Sequence, residues 1–324
     1  MQSVAFSLLL LISITATAIP PTTSAPTIGG AYSSPGSVSG SVLLSPNRFA
    51  EKIVSRKIPA VRLLDSDRAM IRAFANTNVS LFLSVPIHLV PRLASDRLFA
   101  KRWVKRHVLP FYPLSKISTI SVGYDAASHS PDVSPFLLGA MQNVHRSLTD
   151  LRIFQISVST TFSFLNIVTT IFPPSAVRFK QEESMRPILR FIERTNSSFL
   201  INLYPVDIYR CCFPITVGFA LFSDCPLSYH TDLATGLDYR SIFDVVVDSV
   251  ITSMAVMGHA DLPLIVAETG WPSSGTHARY SDMFYKALLT RLRSGSGTPL
   301  RKEPKEVYIL ELDHNMASKS SFEV

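Results

Sequence analysis

Eight short runs rich in β-branched and aromatic residues recur along this chain, and longer segments of helical period separate them. That alternation limits the fold more than any other feature, because a strand followed by a helix and another strand makes a parallel sheet. The runs span residues 26–32, 60–64, 80–85, 117–122, 155–160, 199–204, 264–268 and 307–312. Helices are predicted at 45–56, 67–76, 96–107, 134–151, 182–195, 239–257 and 279–293. Pro46 after Ser45 is a favoured helix start, and Leu137, Met141, Val144 and Leu148 make one apolar stripe at helical spacing. Eight such units close most economically into a (β/α)8 barrel, with residues 26–324 as one domain. An open doubly wound sheet would need a glycine-rich phosphate loop after its first strand, and neither G-x-G-x-x-G nor the Walker pattern occurs.

Residues 1–25 are predicted to precede that domain as a secretory signal peptide and leader. An apolar stretch too short to span a bilayer ends in Ala16-Thr17-Ala18, and Pro20 and Pro21 then break the pattern. The sequons Asn78-Val79-Ser80 and Asn196-Ser197-Ser198 agree with an extracellular or cell-wall destination. Cys211, Cys212 and Cys225 allow at most one intrachain disulfide, Cys225 with either neighbour, and no histidine stands near them at metal-ligand spacing. No metal, cofactor or transmembrane segment is expected. The formal charge of +7 is dispersed, apart from Lys101–His107, where it alternates with apolar residues as on a helix's solvent face. Nucleic acid is therefore not expected as a partner, although the charge suits an acidic polysaccharide surface.

In a barrel of this kind, chemistry belongs to polar groups at the C-terminal ends of the strands. Asp125 follows the fourth strand through Gly123-Tyr124, and Glu268 ends the seventh. Two carboxylates facing each other across a mouth are the minimum apparatus of glycoside hydrolysis; a separation near 5 Å would give retention of configuration, roughly. Sugar rings present apolar faces, so Tyr32, Tyr204 and Trp271, at or just past strand ends, are candidate substrate contacts. Neither H-E-x-x-H nor G-x-S-x-G occurs, and His145, among apolar helix positions, reads as packing.

The stretch LIVAETGWPSSG, residues 264–275, resembles the signature of glycoside hydrolase family seventeen, the plant glucan endo-1,3-β-glucosidases. VRLLDSD, WVKRHVLPFYP, AMQNVHRSL, ISVSTTFS and INLYP carry the resemblance over nearly the whole chain. It implies a secreted monomeric (β/α)8 enzyme that cleaves internal β-1,3-glucosidic bonds of cell-wall glucan with retention. Glu268 would be the nucleophile, Asp125 the acid/base, and Trp271 the motif's tryptophan.

The family usually reads Gly-Asn-Glu where this chain reads Gly123-Tyr124-Asp125. The aspartate sets its carboxyl back by roughly one carbon–carbon bond. Tyr124, in the place of an amide expected to hold a sugar hydroxyl, joins the substrate contacts with different hydrogen-bonding capacity. A second reading, a catalytically impaired secreted β-glucan-binding paralogue, follows from that departure. Past 312 the chain has twelve more residues, with Glu311 and Asp313 near the family's accessory acid, and the last barrel helix is expected to be absent.

Overall fold

The computed structural model describes residues 25–32, 45–124, 132–211, 215–223, 228–272, 275, 278–300 and 302–310. Eight parallel strands close into a barrel: β1 (Thr27–Tyr32), β2 (Ala60–Leu63), β3 (Ser80–Val85), β4 (Lys116–Tyr124), β5 (Ser157–Ser163), β6 (Phe199–Leu203), β9 (Leu264–Thr269) and β10 (Glu306–Leu310). β10 returns to pair with β1. Between β6 and β9 the chain adds an antiparallel hairpin, β7 (His230–Asp232) and β8 (Leu237–Tyr239), which the sequence reading misses. The expected absence of a last barrel helix concerns residues that lie outside those described.

Helices cover the outside of the barrel because each buries one apolar stripe. Helix α1 (Pro46–Ser55) buries Phe49, Ala50 and Ile53. Helix α2 (Arg97–His107) starts where the Asp96 carboxylate accepts from the Phe99 amide at 2.9 Å, and it buries Ala100, Trp103 and Val104. The Lys101–His107 run thus leaves its charges mostly outward while Trp103 and Val104 pack inward. Helix α3 (Leu137–Asp150) buries the expected Leu137, Met141, Val144 and Leu148. Helix α4 (Glu182–Arg194) follows with Ile188, Leu189 and Ile192 inward. Helix α5 (Ile242–Val256), capped by Ser241, is buried on almost every side, and helix α6 (Ser281–Ser294) packs Phe284, Leu288 and Leu292.

The barrel interior is a second, smaller core of Ala60, Phe82, Leu200, Ile265, Ala267 and Tyr308. Phe82 and Tyr308 meet edge to face with centroids 5.4 Å apart. Gly29 makes room for this: a Cβ there would lie 2.7 Å from the Tyr308 ring and 2.8 Å from the Ala60 carbonyl oxygen. A side chain at residue 29 would therefore push the ring out of the plug.

Candidate active site

Directly above the apolar plug, the same strands turn polar. Ala60 gives way to Arg62, Phe82 to Ser84 and Leu200 to Asn202, each two residues further along its strand and so on the same face. Arg62 is fully buried, its guanidinium 4.7 Å above the Phe82 ring. It donates to Asn202 Oδ1 at 3.2 Å and Thr161 Oγ1 at 3.4 Å, and Thr161 Oγ1 shares a 2.8 Å hydrogen bond with Ser121. Hydrogen bonds thus join β2, β4, β5 and β6 in one polar layer, to which β3 adds Ser84.

Glu268 enters this layer through an irregularity in β9. Ile201 of β6 faces Val266, but Asn202 faces Glu268, so β9 advances two residues against one. Against β10 it advances three against two, from Val266 opposite Val307 to Thr269 opposite Ile309. Ile265 and Ala267 already point into the barrel, so strict alternation would send Glu268 outward. The extra residue turns it inward.

The carboxylate is 1% exposed, with hydrogen bonds on one oxygen and an ion pair on the other. Arg62 Nη1 lies 3.0 Å from Oε1 as a buried ion pair. On the other oxygen, Tyr204 donates at 2.5 Å and Tyr124 at 3.2 Å. Burial and the adjacent carboxylate push the Tyr204 phenol far above its ordinary range, which keeps it a proton donor. A carboxylate so held has fixed orientation and keeps its negative charge compensated inside the protein, the condition for attack at a defined carbon.

Tyr124 reaches Glu268 through a second irregularity. Ser121 faces Ser159 and Tyr124 faces Thr161, so β4 advances three residues against two of β5. Gly123, with φ of 75°, sits inside that excess, a conformation glycine adopts without strain. Without it Tyr124 would point away from the barrel axis. Tyr124 remains 40% exposed at the rim, and its ring lies 5.9 Å from the Arg62 guanidinium.

The other expected residues divide. Asp125, Glu311 and Asp313 lie outside the described residues, as do Cys212 and Cys225, while Cys211 is exposed at a helix end. Tyr32 ends β1 half-buried with its ring against Phe49, centroids 4.2 Å apart, and it does not bond Glu268. Burial, then the Asp65 and Asp67 carboxylates, raises the Tyr32 phenol above its usual range. Trp271 is completely buried, against Phe284 at 5.4 Å and Tyr280 at 6.3 Å, so its ring offers no open face to a sugar. An aromatic after a strand end reads the same in sequence whether it lines a cleft or supports it. His145 packs edge-on against Phe191, and burial lowers its pKa.

Arg62, Asn202, Thr161 and Ser121 escaped the sequence reading. The signal for Arg62 was available: one cation inside an otherwise apolar four-residue strand has to find a buried partner. Among the described residues no group of three or more His, Cys, Asp and Glu is placed to hold a metal, and no helix is long and apolar enough to cross a membrane.

The model of the glycosyl hydrolases family 17 matches residues 37–323. Glucan endo-1,3-beta-glucosidase 7 of Arabidopsis thaliana is 36% identical over 291 residues, covering 86% of this chain and 57% of the relative. Glucan endo-1,3-beta-glucosidase 4 of the same plant is 31% identical, covering 82% and 55%. The chain therefore spans somewhat more than half the length of these curated relatives. Among solved structures, CJP38, a beta-1,3-glucanase and allergen of Cryptomeria japonica pollen, superposes with a TM-score of 0.82 at 29% identity, covering 91% of this chain and 93% of that one. A plant beta-glucan endohydrolase gives 0.77 at 26% identity, covering 87% and 90%. With its closed parallel barrel, its strand-end carboxylate and a family match over most of its length, the chain belongs to the glycosyl hydrolases family 17.

Proposed function

We propose that this chain hydrolyses internal β-1,3-glucosidic bonds of a cell-wall glucan with retention of configuration. One observation carries the reading: a buried carboxylate, Glu268, held at the barrel mouth by Arg62 on one oxygen and Tyr204 on the other. Glu268 attacks the anomeric carbon and forms a glycosyl ester, while Asp125 gives its proton to the departing glycosidic oxygen. Asp125 then takes a proton from water, whose oxygen attacks the same carbon and releases Glu268 as a carboxylate. Arg62 and Tyr204 keep the attacking group oriented and receive its charge back at the end. The chemistry uses no metal or redox group.

Tyr32 and Tyr124, both partly exposed at the rim, supply the surfaces that meet sugar, and buried Trp271 packs against Phe284 and Tyr280 as part of the frame. The leader at residues 1–25 and the exposed side chains of Asn78 and Asn196 support secretion to the wall with glycans at those two positions.

Glu268→Gly tests the nucleophile. The variant is expected to lose release of reducing ends from laminarin, and with azide and an activated aryl β-glycoside it is expected to yield the α-glycosyl azide. Unchanged hydrolysis, or the β-azide, would remove Glu268 from that role.

A further inference from the structure

The Tyr124 hydroxyl donates to Glu268 Oε2, the same oxygen that accepts from Tyr204, so the carboxylate carries two phenolic donors on one side and a guanidinium on the other. From this contact, and resting on the hydrolytic reading above, we propose that Tyr124 is a positioning residue that sets the balance between the two halves of the reaction. It slows formation of the glycosyl ester and speeds its breakdown.

The reasoning is electrostatic. A hydrogen bond to an ionised acceptor is stronger than one to a neutral acceptor. Glu268 begins the cycle as a carboxylate and loses its negative charge as the new bond to the anomeric carbon forms. The Tyr124 bond weakens at that point, so it stabilises the start of the first step more than its transition state. In the second step the ester bond breaks, the electron pair returns to Glu268, and the same bond strengthens as charge develops. A donor at this position therefore acts in opposite directions on the two steps. Arg62 and Tyr204 act on the same charge, but Tyr124 adds a third contact from β4, and the extra residue around Gly123 turns it inward to make that contact. Tyr124 is 40% exposed, and replacing it with Phe removes the hydroxyl while keeping the ring, so the oxygen's effect can be separated from packing.

The test compares Tyr124→Phe with the parent chain on two substrates, after both are shown to melt alike. On laminarin, whose poor leaving group makes ester formation limiting, kcat/KM is expected to rise about tenfold. On a 2,4-dinitrophenyl β-laminarioside, whose leaving group makes ester breakdown limiting, kcat is expected to fall by a similar factor. Placing 3-fluorotyrosine at 124, a stronger donor, is expected to shift both in the opposite sense. A structural role would lower both values together. Joint decline, no change in either, or a fall on laminarin with a rise on the aryl glycoside would overturn the proposal. If the parent turns over both substrates and Glu268→Gly does not, those results sink this inference alone; a parent that turns over neither sinks the hydrolytic reading with it.

Discussion

The barrel interior has two storeys built from the same strands, and they do different work. The lower one, Ala60, Phe82, Leu200, Ile265 and Tyr308, is apolar and closes the channel. The upper one, Arg62, Ser121, Thr161, Asn202 and Glu268, is polar and linked through the Arg62 guanidinium and the Thr161 hydroxyl. Both are almost fully buried, so exposure does not separate them. The difference lies in what each burial costs. Apolar groups gain by leaving water, whereas the upper groups are stable there only while each charge keeps its partner. The lower storey therefore tolerates loss of volume in proportion to volume, and the upper one responds to loss of a single atom.

The largest expected effect comes from breaking the upper storey. Arg62→Met leaves Glu268 buried without its counter-charge, and denaturant melts are expected to show a loss of about 3–5 kcal/mol. Laminarin hydrolysis should fall on the order of 10²–10³-fold or more, because the carboxylate proposed to attack loses its fixed partner. In the lower storey, Leu200→Ala is expected to cost about 2–5 kcal/mol by the same melts, with kcat and KM of the folded fraction little changed. Equal kinetic damage from both variants would erase the distinction.

Outside the barrel, Asp248 of α5 sharpens the point about burial and charge. It accepts from the Leu300 amide at 3.0 Å, with Thr298 and Tyr239 beside it, yet burial pushes its pKa from 3.8 up to about 6. A folded pKa above the unfolded one means the folded chain holds the proton longer. Its contribution is full below about pH 4 and declines as pH rises to about 6, by about 3 kcal/mol. Asp244, raised by burial against the pull of Arg291, has the same sign. Melts at pH 4 and 6.5 are expected to show the decline in the parent chain and a smaller one in Asp248→Asn. The smallest effect belongs to the surface: Asp96→Ala removes the cap of α2 and should cost about 1 kcal/mol without touching the kinetics.

The frame was legible in sequence because strands and helices differ in period, and every barrel strand lies where a β-rich run predicts it to within a few residues. Glu268 was legible too, as an acid ending an apolar run. The inward turn of Tyr124 and Glu268 was not, since alternation cannot show where one strand takes an extra residue against its neighbours. Tyr124 read as a sugar contact for that reason, and the structure adds its bond to the carboxylate. The β7–β8 hairpin was missed because three-residue strands are too short to show alternation. The need of Arg62 for a buried partner was legible, but the partners were not, because they come from β5, β6 and β9, roughly 100 to 200 residues away along the chain.

Covalent trapping tests the central claim most directly. A 2-deoxy-2-fluoro aryl β-laminarioside with a good leaving group forms the glycosyl ester quickly and releases it slowly, so peptide mapping of the inactivated protein reads out the attacking residue. The label is expected on Glu268, within residues 264–269. A label on any other residue, or continued turnover with Glu268 unmodified, would contradict the account.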